Sequence, residues 1–162
     1  MIGRLALAGM ALSLGAAQAQ ALNTRTWISG HGTDQAGCGP VASPCRTLQY
    51  AHDNTAAGGE IDVLDPAGYG SIFLPKSISI VNDGVGLAGV LASAGGNGLI
   101  INVDTTDRIV LRGLTIEGAG VGANGIVFAN GGGMTVSRCV IQGFFTNSTH
   151  DGNNNGNGIW II

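Results

Sequence analysis

The stretch Arg108-Ile109-Val110-Leu111-Arg112-Gly113-Leu114-Thr115-Ile116-Glu117-Gly118 is echoed by Gly133-Met134-Thr135-Val136-Ser137-Arg138-Cys139-Val140-Ile141-Gln142-Gly143, at an offset of 143 − 118 = 25 residues. In each copy an apolar pair at alternate positions (Ile109/Leu111, Met134/Val136) is followed by a second pair (Leu114/Ile116, Cys139/Ile141), and each copy closes on glycine. Alternation is the period of a strand, and a repeat in the twenties built of short strands and glycines is the signature of a β-solenoid. Ile109, Leu111, Leu114, Ile116, Met134, Val136, Cys139 and Ile141, with Ile126 and Phe128, are therefore the expected inward positions.

Composition supports many turns around an apolar core. The chain has 162 residues, with 29 glycines and 12 asparagines, and only 10% are charged. Glycine and asparagine tolerate the positive φ that tight turns require. Disorder is excluded by the 44% hydrophobic content, gathered in short Ile/Val/Leu clusters. A net charge of −3 offers no basic patch for nucleic acid.

The first nineteen residues read as a signal peptide: one basic residue (Arg4), a short apolar core and a small-x-small site at Ala17-Gln18-Ala19. The apolar run is too short for the roughly 20 residues of a membrane-spanning helix. An exported mature chain beginning near Gln20 is expected, with no transmembrane segment. Loss of Arg4 takes its charge from −3 to −4, since residues 1–19 carry no acid. In an oxidising compartment Cys38 and Cys45, which bracket a turn-rich Gly-Pro-Val-Ala-Ser-Pro, are expected to form a local disulfide. Half a metal site is the alternative, but no second Cys/His pair with ligand spacing accompanies it. Cys139 occupies the place of Leu114 in the other repeat copy (139 − 114 = 25) and reads as an unreactive core residue.

Strands are expected at 25–29, 60–64, 71–74, 77–81, 99–103, 109–111, 114–117, 126–128, 134–136, 139–142 and 159–162. Thr47 is expected to N-cap a short helix with Leu48, Ala51 and Thr55 on one face, stopped by Gly58-Gly59. A β-sandwich would also use short strands and Asn-Gly turns. However, Asn124-Gly125 and Asn157-Gly158 precede equivalent strands, at 126–128 and 159–161. Their offset of 159 − 126 = 33 residues is the 25-residue period plus an eight-residue insertion. Equivalent turns before equivalent strands favour the solenoid. Residues 20–59 then form an N-terminal cap and 60–162 the rungs, which stop in mid-strand and are expected to continue or to self-associate.

Trp27-Ile28-Ser29-Gly30-His31-Gly32-Thr33-Asp34 resembles the opening of secreted bacterial right-handed parallel β-helix proteins, the pectin-lyase-like superfamily. The resemblance continues through Pro44-Cys45-Arg46-Thr47-Leu48, then Gly58-Gly59-Glu60-Ile61-Asp62-Val63-Leu64, Gly68-Tyr69 and the 111–118 repeat. It implies an all-β, right-handed parallel β-helix with a short capping strand and helix. It also implies a secreted, periplasmic or cell-surface location in a bacterium. The family includes lyases, hydrolases, epimerases and proteins without known activity, so the resemblance does not name a reaction.

No catalytic set is visible. Glycoside hydrolysis needs paired carboxylates, but the acids here are scattered; Asp104 and Asp107 are closest and lie in a turn beside Arg108. Only Glu117 and Gln142 stack on an outward face. No cofactor or metal is implied. The best binding candidate is the insertion across 144–158, where Phe144, Phe145, His150 and Asp151 could contact a glycan, with Trp160 as an outward platform. A polar loop with an aromatic clasp on the coil is the plainer reading. Asn147-Ser148-Thr149 matches a glycosylation acceptor; His31 and His52 are assigned no role. The function expected is an exported surface, structural or glycan-binding protein whose partner is a polysaccharide or cell-surface glycan. The alternative is the N-terminal part of a polysaccharide-acting enzyme with its active site in later rungs.

Overall fold

Alternating apolar residues separated by glycine and asparagine give a chain of short strands and one short helix. The computed structural model describes residues 21–145 and 156–162. In order it contains β1 (Asn23–Ile28), α1 (Leu48–Asp53), β2 (Thr55–Val63), β3 (Ala67–Gly68), β4 (Ile72–Leu74), β5 (Ile78–Val81) and β6 (Ala88–Leu91). It continues with β7 (Asn97–Asn102), β8 (Arg108–Arg112), β9 (Leu114–Gly122), β10 (Asn124–Asn130), β11 (Gly133–Ser137), β12 (Val140–Phe144) and β13 (Asn157–Ile161).

The strands form three sheets, β1-β2-β5-β8-β11, β3-β6-β9-β12 and β4-β7-β10-β13. Every pairing is parallel. From β2 onward, successive strands visit the first, second and third sheets in turn, so each circuit of the chain stacks on the one before. All-β architecture with parallel sheets is therefore as expected. The 25-residue offset is a literal register: Ile109 pairs with Met134, Leu111 with Val136, and Ile116 with Ile141. In the third sheet Asn124 pairs with Asn157 and Ile126 with Ile159, which accommodates the longer 33-residue offset.

Like residues stack into core columns, because alternation turns every second side chain inward. Ile61, Ile80 and Leu111 form one column and Ile72, Leu99 and Ile126 another, all at or below 4% exposure. Each such side chain stabilises by roughly 1.5–3 kcal/mol on burial. Of the ten expected inward positions, Ile109, Leu111, Leu114, Ile116 and Ile126 are buried; Phe128, Met134, Val136, Cys139 and Ile141 are half-buried against that core.

Two strands were not expected, β3 and β6. The latter, Ala88-Gly89-Val90-Leu91, presents only Ala88 and Val90 inward, too weak an alternation to read alone. The helix is also shorter than expected. It ends at Asp53 with Asn54 as C-cap, and Thr55 already belongs to β2. The reason is that the Thr55 hydroxyl bonds Ala51 O (2.6 Å) and Thr26 Oγ1 (2.8 Å), fastening the chain to β1 before Gly58 is reached. The expected boundary at 59/60 between cap and rungs thus falls inside β2.

Cys38 and Cys45 are disulfide-bonded with Cα atoms 5.0 Å apart, and Cys139 is free. Leu48 and Ala51 bury the inner face of α1 over the first circuit. Among the described residues no helix is long and apolar enough to cross a membrane.

Candidate functional site

The motif residues near the N-terminus are structural fasteners. Asp34 accepts from Arg46 N (2.7 Å), Thr47 N (3.0 Å) and Thr47 Oγ1 (2.7 Å), satisfying donors at the start of α1. Gly32 passes so close to the Cys45 carbonyl that any side chain would collide. Asp65 accepts from Ser29 Oγ (2.5 Å), Gly30 N (2.6 Å) and Tyr69 Oη (2.8 Å). Burial pushes its carboxyl up, but these three donors outweigh it and hold the group below the usual carboxylate range. Tyr69 is shifted upward by burial and by the Asp65 carboxylate. This cluster ties the end of β1 to the turn after β2, and its acceptors are occupied.

Other charges are likewise engaged. On the outer face of the first sheet Arg25 pairs with Asp62 (2.5 Å) and Glu60 (3.3 Å), and Arg112 pairs with Asp83 (2.7 Å). Asp107 accepts from Ser77 Oγ at 2.5 Å. Lys76 donates to Thr55 O at 2.6 Å, and burial lowers its pKa. Among the described residues no three His, Cys, Asp or Glu side chains are grouped to hold a metal ion.

Of the expected glycan-contact residues, Phe144, Phe145 and Trp160 are described. Phe144 ends β12 in the second sheet and Trp160 lies in β13 of the third. A methyl group on Gly118, Gly122 or Gly125 would come within 2.7, 3.1 and 3.2 Å of the Phe144 ring, so three glycines form the slot in which that ring lies. Phe144 is half-buried against the core, whereas Phe145 is 63% exposed. Trp160 is half-buried, in register with the buried Val127 and the half-buried Ile100. His150, Asp151 and the Asn147-Ser148-Thr149 acceptor lie outside the described residues.

A cleft of about 380 Å³ opens on the outer face of the second sheet. Its floor is the backbone of Gly68 and Gly89, paired in register, with Thr115 continuing the column. Nothing lies within 4 Å of the position a Gly68 side chain would take, so the absent Cβ leaves open space. Leu87 and Leu91, 54% and 53% exposed, form its apolar wall. Leu91, Glu117 and Gln142 form the next column. Gln142 Nε2 donates to Glu117 Oε2 at 2.8 Å, and Ala119 N donates to Glu117 Oε1 at 3.0 Å. The sequence displayed the Glu117/Gln142 stack. It did not display the glycine floor or the leucine wall, because β3 and β6 are too short and too rich in small residues to be read as strands. Smaller cavities lie beside Gln49 and Phe73 on the third sheet (230 Å³) and beside Leu22 and Pro40 (290 Å³).

An apolar floor with hydrogen-bonding groups along one side can hold a flat, partly apolar and partly polar ligand. Compared with protein-family models, curated proteins and solved structures, the chain matches none, so the cleft is interpreted from its own geometry.

Proposed function

We propose that the chain is an exported right-handed parallel β-helix protein of pectin-lyase-like type that binds glycan non-catalytically, through the cleft on its second sheet. The observation that carries this reading is the composition of the cleft. The Gly68/Gly89 floor and the Leu87/Leu91 wall suit the apolar face of a sugar ring, while Thr115, Glu117 and Gln142 suit its hydroxyls. Right-handedness follows the strong preference of parallel β-crossovers, and the Cys38–Cys45 disulfide accords with an oxidising compartment. The engagement of Asp34, Asp62, Asp65, Asp83 and Asp107 in structural bonds supports binding over acid–base chemistry.

The test is retention of folded protein, shown by a β-type circular dichroism spectrum and a defined size, on immobilised polysaccharides. Binding should fall at least roughly tenfold in Leu91→Asp, which places a charge on the apolar wall. Equal retention of that variant, or release of reducing or unsaturated ends by the wild type, would overturn the reading.

Ile159 and Ile161 continue the core columns of Ile126 and Phe128, yet they are 42% and 70% exposed. This supports a second copy of the chain stacking on β11, β12 and β13. Size-exclusion chromatography across a concentration series tests it; a monomer at all concentrations counts against self-association.

A further inference from the structure

We infer that the cleft on the second sheet selects uncharged sugars and rejects uronates. The inference rests on the glycan-binding reading and specifies its ligand.

Three observations carry it. First, among the described residues the only ionisable side chain lining the cleft is Glu117, and no lysine or arginine lines it. Arg46 is not a lining residue; its cationic guanidinium donates to Gly68 O (2.8 Å) over the Tyr69 ring, at the Gly68 end of the cleft and away from the Leu91–Glu117–Gln142 column. Second, both oxygens of the Glu117 carboxylate are hydrogen-bonded. Oε1 accepts from Ala119 N and Oε2 from Gln142 Nε2, which directs the charge toward a ligand lying between Leu91 and Gln142. Third, the side-chain inventory is rich in acceptors. A carboxylate only accepts, the Gln142 amide with one N–H committed to it keeps one donor and its carbonyl acceptor, and the Thr115 hydroxyl can do either, so acceptors outnumber donors. Such a lining needs a ligand that donates, as hydroxyls do. A uronate carboxylate donates nothing and would face Glu117 as a like charge.

Like-charge repulsion at contact distance near a protein surface, even well screened, is worth roughly a tenfold loss of affinity or more. The chain's net charge of −3 acts in the same direction.

The experiment compares retention of the folded, full chain by a neutral polymer (soluble β-glucan or galactomannan) and an acidic one (polygalacturonate or alginate) at low salt. The expected result is at least roughly tenfold tighter binding to a neutral polymer. Glu117→Gln keeps an acceptor beside Gln142 but removes the charge, so it should narrow that gap chiefly by improving the acidic polymer. Equal or preferred binding of uronate, or a gap unchanged in Glu117→Gln, overturns the inference while leaving glycan binding intact. Retention by neither polymer overturns the glycan-binding reading itself, and this inference with it.

Discussion

The side-chain amide of Asn124 donates to Oδ1 of Asn97 at 3.0 Å, one circuit away. Asn157 repeats the arrangement on the other side, donating from Nδ2 to Asn124 Oδ1 at 3.0 Å. Asn124 is 2% exposed, so its amide is satisfied by asparagines above and below rather than by water. Each of the three is followed by a glycine. Gly98 is obligatory because a side chain there would lie 2.7 Å from Gly125 O, and Gly125 meets Gly158 O in the same way. Asn124→Ala should cost about 1–2 kcal/mol, since it removes a buried amide and its bonds to the half-buried Asn97 and Asn157. Asn102→Ala, at an exposed position, should cost less than about 0.5 kcal/mol. Urea denaturation of the two variants measures the contrast.

The corner between the first and second sheets is turned by Gly113 in one circuit and Arg138 in the next, both with positive φ (71° and 54°). Gly113→Ala should be strongly destabilising, because its Cβ would collide with Asn82 O. Arg138→Gly should instead stabilise. Relief of left-handed strain, about 1–2 kcal/mol, exceeds the roughly 0.5–1 kcal/mol of added chain entropy. Thermal melts giving opposite signs for the two substitutions would establish the point.

His52 is 2% exposed in α1. Its Nδ1 lies 3.0 Å from Asp53 Oδ1, and its Nε2 has no partner among the described residues. Burial lowers its pKa, opposed by the bond to Asp53 and reinforced by Lys76. The unfolded chain therefore binds the proton more readily than the folded one. Stability from this group is complete above about pH 6.5 and declines as pH falls towards the depressed folded value. Chemical denaturation at pH 7.5 and pH 5 should show that decline in the wild type and a smaller one in His52→Leu.

Phe144 and Phe145 adjoin in sequence but should respond differently to truncation. Phe144→Ala empties the slot formed by Gly118, Gly122 and Gly125 and should cost about 2–3 kcal/mol, the lower end for a half-buried ring. Phe145→Ala, at 63% exposure, should change stability by less than about 0.5 kcal/mol. If both variants retain full stability, the slot is not structural and Phe144 becomes available for ligand contact.

Alkylation of non-reduced protein followed by mass spectrometry should find Cys139 labelled after denaturation and Cys38 and Cys45 protected. Closing a short loop of this kind contributes about 2–3 kcal/mol, so Cys38→Ser with Cys45→Ser should lower stability by that amount.

Sequence alone determined what depends on neighbours along the chain. Alternation set which side chains of 109–116 and 134–141 turn inward, and the 25-residue offset set their register. A turn-rich octapeptide placed Cys38 beside Cys45, and Thr47 marked the helix start. These are local or repeated patterns, and the parallel stack preserves them. Tertiary structure decided what depends on residues in different circuits. Thr55 was drawn out of the expected helix by Thr26, 29 positions earlier. Gly118, Gly122 and Gly125 became a slot only when Phe144 of the next circuit lay across them. The cleft needs Gly68, Leu91 and Glu117 from three successive circuits. Two of its strands carry so little alternation that their partners, rather than their own residues, hold them in the sheet. Such strands are specified by the hydrogen-bonding edges of neighbouring circuits, which exist only once the coil has stacked.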